Sequence, residues 1–232
     1  MPDSATENKA RVRIFEKIEV SHDVNRWVVE KPEGFDYEPG QAVELCLDKD
    51  GYRDEPRPFT MTSRPSDPTL EFVIKTYEQR DGVTDELDEF KAGEHLRIGE
   101  PFGAISYRGE GTFIAGGAGV TPFIAIFREL FAKGEVGLNR LIFSNSKAQD
   151  VFMKAEFDRL LGDRVIYTLT DEDAPWAERR KVDKAFLGER CSAFGEQHFY
   201  LCGPPGMGKQ LKADLIDLGA DEDKIVHEDW SG

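Results

Sequence analysis

Thr112-Phe113-Ile114-Ala115 runs directly into Gly116-Gly117-Ala118-Gly119-Val120-Thr121-Pro122. An apolar, strand-like run thus ends in a glycine loop, and Pro122 suits the first turn of a helix predicted over 122–132. Glycines at such a turn let the backbone approach a phosphate, while the helix N-terminus adds amide donors and the positive end of its dipole. Taken alone, a glycine loop fits a tight strand-to-helix turn as well as it fits nucleotide binding. The strand before it and the helix after it favour the nucleotide.

Downstream the same alternation continues. Strand-like runs at 138–143, 164–169, 198–201 and 224–227 are interleaved with amphipathic stretches at 151–161 and 207–218. That order implies βαβ units and a Rossmann-like parallel sheet with helices on both faces. Upstream the pattern differs. Short alternating runs at 11–20, 24–30, 42–47, 59–62, 70–77 and 95–98 are parted by turns such as Glu38-Pro39-Gly40 and Arg64-Pro65-Ser66-Asp67-Pro68. They predict a small closed antiparallel β-barrel, with one short helix at 84–90 capped by Thr84. The change falls near Tyr107-Arg108-Gly109, so two domains are expected, 1–108 and 109–232.

Composition agrees with this division. At about 150 residues per domain, 232 residues allow one large domain or two small ones. The 39% hydrophobic content and 16 Phe supply a sizeable core. A net charge of −15 argues against nucleic acid or an anionic membrane as partner, since both need a basic surface. No apolar run approaches a membrane span, and the polar stretch 1–11 shows no export signal. Cys46, Cys191 and Cys202 are too few and too far apart for a zinc or iron–sulfur ligand set, so no metal is expected and a reducing, cytoplasmic compartment fits.

Two further stretches carry chemistry. In Tyr200-Leu201-Cys202-Gly203-Pro204-Pro205-Gly206-Met207, Cys202 falls at the carboxyl end of a predicted parallel strand, where open α/β sheets bind ligands. Read alone, Cys202 also fits a buried small hydrophobe. Arg57-Pro58-Phe59-Thr60-Met61-Thr62-Ser63 offers a guanidinium fork for phosphate, a flat ring and hydroxyls. Read alone, it also fits a strand edge with an outward Arg and an inward Phe.

In their order and spacing these motifs resemble the ferredoxin–NADP reductase superfamily, of the short flavodoxin/ferredoxin reductase kind, over nearly the whole chain from Val12 to Trp230. The resemblance implies a Greek-key FAD-binding barrel followed by a NAD(P)-binding domain. The family's flavin motif is met by Arg57, Phe59, Thr60 and Ser63, its pyrophosphate motif by Gly82-Val83-Thr84, its nicotinamide-nucleotide loop by Gly116–Pro122, and its Cys-Gly-Pro motif by Cys202, Gly203, Pro204 and Met207. By resemblance, Arg57 binds the FAD pyrophosphate beside Pro58, and Phe59 stacks on the isoalloxazine, where many relatives have a tyrosine that adds a hydrogen bond. Thr60 lies near flavin N5, and Ile74, Lys75 and Tyr77 line the ribityl and phosphate. Gly82, Val83 and Thr84 hold the pyrophosphate. Gly117, Ala118, Gly119, Val120 and Thr121 take the NAD(P) pyrophosphate, and Cys202 sits against the nicotinamide. Relatives end in a carboxylate, one residue and an aromatic, matched here by Glu228-Asp229-Trp230 with Ser231-Gly232 beyond. The resemblance therefore groups Thr60, Cys202, Glu228 and Trp230 at hydride transfer, although Trp230 equally fits a packing anchor.

The implied cofactors are FAD and NADH or NADPH. Asp150 falls where NADH-using relatives carry an acid, which disfavours a 2′-phosphate, while Lys147 or Arg179-Arg180-Lys181 offer it cations. The balance leans to NADH. The implied activity is hydride uptake from NAD(P)H and delivery of single electrons to a separate ferredoxin, flavodoxin or similar carrier. The reductase component of an oxygenase and a non-enzymatic flavin-binding regulatory module are the alternatives on the same fold. Between Arg53 and Arg80 five basic residues balance five acidic ones, while Asp214–Asp229 holds one basic and seven acidic residues. The barrel is thus the side on which an acidic carrier is expected to dock.

Overall fold

The computed structural model describes residues 9–76, 82–103 and 105–227. Three residues expected at the site, Tyr77, Glu228 and Trp230, lie outside the described residues. The first half contains β1 (Ala10–Ser21), β2 (Val24–Glu30), β3 (Ala42–Leu47), β4 (Arg57–Thr60), β5 (Thr69–Lys75), the short helix α1 (Val83–Asp88) and β6 (His95–Ile98). The strands form one antiparallel sheet in the order β4-β3-β6-β1-β2-β5. A bridge between Met61 and Phe72 joins its two ends, so the sheet closes as a barrel. Alternation along β2 sends Trp27 and Val29 inward, where they meet Ile14, Leu45, Met61, Phe72, Leu87 and Phe90 in the barrel core.

The second half contains β7 (Gly111–Gly116), α2 (Thr121–Lys133), β8 (Arg140–Asn145), α3 (Lys154–Leu161), β9 (Val165–Leu169), the two-residue β10 (Glu178–Arg179), α4 (Lys184–Arg190), β11 (His198–Cys202), α5 (Pro205–Asp217) and β12 (Ile225–His227). Its strands are all parallel, in the order β10-β9-β8-β7-β11-β12. Helices α2 and α3 cover one face and α4 and α5 the other. Among the described residues no helix is long and apolar enough to cross a membrane.

Local chemistry moves some boundaries from their expected places. Strand β8 begins at Arg140 rather than at Leu138, because Gly137 has a left-handed φ of 52° and turns Leu138 out to solvent with 79% exposure. Helix α3 begins three residues after Val151, since Met153 is itself left-handed at φ 57°. The pair β10 and α4 carries too few residues for a readable periodicity, and α4 is marked only by its cap, where Asp183 accepts from the Phe186 amide at 2.8 Å.

The two sheets share apolar packing. Val24 of β2 and Val73 of β5 join the cluster built on Phe113, Phe123, Phe127 and Phe143. Helix α2 is therefore enclosed by its own sheet and by the barrel, which explains its run of buried residues Pro122–Phe127. At the junction between the halves, the Tyr200 hydroxyl accepts from the Arg108 and Gly109 amides at 2.9 and 3.1 Å and donates to the Gly109 carbonyl at 2.7 Å.

Candidate active site

In the parallel sheet the strand order reverses between β7 and β11, which leaves a crevice beyond their carboxyl ends. Gly116 ends β7 and Cys202 ends β11, so the fold brings the two glycine-bearing motifs to that crevice. They touch backbone to backbone. A Cβ on Gly119 would run into the Cys202 carbonyl and lie 2.6 Å from the Gly203 Cα, and one on Gly203 would lie 3.1 Å from the Gly116 amide nitrogen. Gly117, at φ 53°, has the opposite surroundings, since a Cβ there would meet nothing within 4 Å. The loop is thus tight on its protein side and open on the other. Thr121 fixes it by donating from its hydroxyl to the Ala118 carbonyl at 3.0 Å.

The barrel supplies the facing wall. The resulting cleft of about 680 Å³ is lined by Pro58, Phe59 and Thr60 of β4, Val73, Ile74 and Lys75 of β5 and Thr84 of α1, opposite Gly116–Gly119, Thr121, Cys202, Gly203, Pro204 and Pro205. Three helices begin at this cleft, α1, α2 and α5, and none has a side-chain cap on its first amides. The Thr121 amide is taken by the Ala118 carbonyl of the turn Gly117–Val120 that leads into α2 and the Met207 amide by the Pro204 carbonyl, so what these starts offer an anionic oxygen is the positive end of the helix dipole and the amides ahead of those bonds. An open glycine loop and uncapped helix starts on both sides of a slot floored by a Phe ring fit a ligand with phosphates and flat rings. They fit both FAD and a nicotinamide nucleotide.

The other expected residues take different stations. Arg57 is exposed, with its guanidinium donating to the Pro56 carbonyl at 2.9 Å and facing Glu55 at 3.5 Å; it stands at the cleft's edge, one residue before Pro58. Gly82 is the N-cap of α1, and its carbonyl accepts from the Asp85 and Glu86 amides. Val83 and Val120 turn their side chains into the two cores, so only their backbone can face a ligand. Met207 packs behind the glycine loop, its sulfur 2.5 Å from where a Gly116 Cβ would stand.

Charge at the cleft is organised across the two domains. Lys75 Nζ lies 2.7 Å from Asp23 Oδ2, and His22 Nε2 lies 3.5 Å from Asp23 and 3.8 Å from Asp150. Asp150 therefore stands against the β1–β2 turn, and it also accepts from the Lys147 amide at 2.9 Å. His22 and Asp23 read in the sequence only as turn residues. Val73 carried no polar signal, and Pro205 stood inside a motif without a role. Val73 and Pro205 line the cleft, Asp23 reaches it through Lys75 and His22 stands behind Asp23, all placed there by topology alone.

Comparison with known proteins matches residues 11–107 to the oxidoreductase FAD-binding domain and residues 113–213 to the oxidoreductase NAD-binding domain. The chain belongs to the ferredoxin–NADP reductase superfamily. Among relatives in this superfamily, NADH–cytochrome b5 reductase 1 of Arabidopsis thaliana is 29% identical, over 92% of this chain and 81% of its own length. The reductase component of propane 2-monooxygenase from Rhodococcus jostii is 26% identical, over 87% of this chain and 57% of its own. The FAD/NAD-binding domain of nitric oxide dioxygenase from Vibrio cholerae shares the fold with a TM-score of 0.85 at 22% identity, covering 96% of this chain and 98% of that one. A ferredoxin NADP+ reductase from Neisseria gonorrhoeae, solved with bound FAD and NADP, superposes with a TM-score of 0.80 at 18% identity, covering 95% and 98%. The superfamily member described here is thus an FAD- and nicotinamide-nucleotide-dependent oxidoreductase.

Proposed function

We propose that the chain is an NADH-dependent reductase that takes hydride at the cleft and passes electrons singly to a separate carrier protein. The observation that carries this reading is the single cleft in which the barrel's Phe59–Thr60 wall faces the glycine loop and Cys202. FAD, when bound, would supply the chemistry, taking one hydride and giving up its two electrons one at a time with the proton released to solvent. The chain's own groups bind and orient. Arg57, Gly82 and Thr84 would hold the FAD pyrophosphate, and Phe59 would support the flavin ring. The Gly117–Thr121 backbone would take the nucleotide's pyrophosphate, and Thr60 and Cys202 would flank the reacting rings and keep water out.

The lean to NADH rests on where the charges go beyond β8 and β9. The Lys147 and Ala148 amides are taken by the carboxylates of Asp150 and Glu172 at 2.9 and 2.7 Å. Arg179 pairs with Asp173 and Arg180 with Glu189. Two of the cations open to a 2′-phosphate, Arg179 and Arg180, are thus paired with carboxylates, and Asp150 and Glu172 add negative charge beside the loop after β8.

For the acceptor, a haem protein of the cytochrome b5 kind, as named for the Arabidopsis relative, stands beside the ferredoxin or flavodoxin implied by the motifs. An oxygenase component is a second reading, favoured by the Rhodococcus relative. The test is steady-state reduction of cytochrome b5, ferredoxin and flavodoxin by the purified holoprotein, with NADH and NADPH compared. Turnover of one carrier with NADH at least about tenfold better than with NADPH supports the reading. NADPH preference overturns the nucleotide assignment, and flavin that neither NADH nor NADPH can bleach overturns the enzyme in favour of a flavin-binding module.

A further inference from the structure

Arg128 sits on α2 seven residues after Thr121. Seven residues are two helical turns, so the two side chains share one helix face about 10 Å apart. Thr121 lines the cleft, and Arg128 lies further along the same seam between the domains. Its guanidinium is 15% exposed and all three of its nitrogens are engaged. Nε and Nη2 donate to the two oxygens of Glu156 on α3, at 2.7 and 2.9 Å. Nη1 crosses to the barrel and donates to the Thr62 carbonyl at 2.8 Å and to Glu71 Oε1 at 2.6 Å.

The barrel side of this contact is equally fixed. Thr62 is fully buried; its amide donates to the Glu71 carbonyl at 2.7 Å and its hydroxyl to the Glu71 carboxylate at 2.8 Å. Every polar atom of Thr62 is thus held, and Thr62 lies two residues beyond Thr60. Glu71 lies on β5 two to four residues before Val73, Ile74 and Lys75. Both barrel strands that wall the cleft are therefore tied to one guanidinium, and that guanidinium rides on the helix that begins with the opposite wall. A planar fork with fixed donor directions transmits position in a way a flexible ammonium does not.

We propose that Arg128 is a positioning residue for hydride transfer: by tying Thr62 and Glu71 of the barrel to α2 and Glu156, it sets the spacing between the Phe59–Thr60 wall and the Gly116–Thr121 wall. This rests on the reading of the cleft as the meeting place of flavin and nicotinamide. The spacing governs how closely the two rings stack, and a small misplacement of reacting atoms is costly in rate.

The experiment uses the holoprotein with Arg128→Lys, which keeps the charge and loses the fork, and Glu71→Gln, which keeps the shape and loses the charged acceptor. Two quantities are read: the anaerobic rate of flavin bleaching by NADH, and the long-wavelength charge-transfer absorbance when NAD+ is added to the chemically reduced protein. The proposal expects bleaching slowed about tenfold and the charge-transfer band weakened in Arg128→Lys, with FAD content and NAD+ affinity within about threefold of wild type. In Glu71→Gln the same changes should appear at smaller size. Wild-type bleaching and a wild-type band in both variants would overturn it and leave Arg128 a stability residue. Should Arg128→Lys lose its flavin, the milder variant decides by the same two signals. Absence of both signals in the wild-type protein would instead bring down the reading of the cleft itself, and the proposal with it.

Discussion

The two walls of the cleft are made of different material. The barrel wall is made of side chains: Pro58, Phe59, Thr60, Ile74 and Lys75 project from two strands. The wall across from it is mostly backbone, with Gly117 open toward the cleft and Gly116, Gly119 and Gly203 packed so that two loops touch through their main chains. A side-chain wall chooses its ligand by ring, charge and hydroxyl, and it is weakened by deletion. A backbone wall offers amides and closeness, and it is spoiled by adding atoms. The same cleft should therefore respond to opposite kinds of mutation on its two sides.

The sharpest break in that contrast is Gly119→Ala. Its new methyl would meet the Cys202 carbonyl and Gly203 Cα, backbone atoms that cannot swing aside. Flavin reduction by NADH should fall by about a hundredfold or more, equivalent to about 2.7 kcal/mol, while FAD content measured by absorbance stays near wild type. A variant that bleaches normally would mean that the two loops do not depend on their close approach. Next in size is a deletion on the opposite wall. Arg57→Ala should weaken FAD by about 1.5–3 kcal/mol, the usual worth of a hydrogen bond to a charged group, and leave NADH affinity unchanged. Fluorescence of released FAD measures the first and titration of the reduced protein the second; unchanged retention would make Arg57 a surface residue.

Cys202→Ala tests the place where a side chain stands within the backbone wall. Bleaching should slow by about tenfold, with Cys202→Ser between it and wild type, through lost orientation of the nicotinamide. FAD loss in both variants would show instead that the residue holds the fold. The smallest effect lies away from the cleft. Asp48, just past β3, accepts from the Nε groups of Arg11, Arg53 and Arg97 at 2.6, 2.9 and 2.9 Å. The Arg11 hydrogen bond, with burial opposing and Arg53 and Arg97 adding to it, holds its carboxyl well below the usual carboxylate range. A carboxyl whose folded pKa is depressed contributes stability in full above the ordinary value near 3.9 and loses it as pH falls below that. Asp48→Asn should cost about 1 kcal/mol near pH 7, because two of its guanidinium partners are half exposed. That difference should shrink progressively as urea melts are taken from about pH 4 toward the depressed folded pKa, and bleaching by NADH should not change. A gap that persists in acid would assign the loss to packing.

The backbone wall was readable in the sequence because its requirements are written in glycine. Gly116–Pro122 and Cys202–Met207 state both the turn and the helix start, and their order matches the meeting of β7 and β11. The barrel was readable from its turns. Less legible were features made by juxtaposition. Arg128 meets Glu71 and Glu156 across 57 and 28 residues, and a lone charge in an amphipathic helix reads as a solvent-facing residue. Asp150 read as a ribose-side acid, yet it also meets His22 from the barrel, a pairing with no local signature. Leu138 misplaced the start of β8 because hydropathy does not register the left-handed turn at Gly137.

Tyr200 reaches from the middle of the parallel sheet to the joint between the halves, and burial first of all pushes its phenol up to about 12, so its proton stays available to the Gly109 carbonyl. A loose joint is what allows two parts of one chain to melt separately. Here the joint is stapled through three hydrogen bonds, and Val24 and Val73 are sunk into the neighbouring core. In calorimetry the chain should then melt as one cooperative block, and a protease aimed at Arg108–Gly109 should have to wait for global unfolding rather than for a local opening.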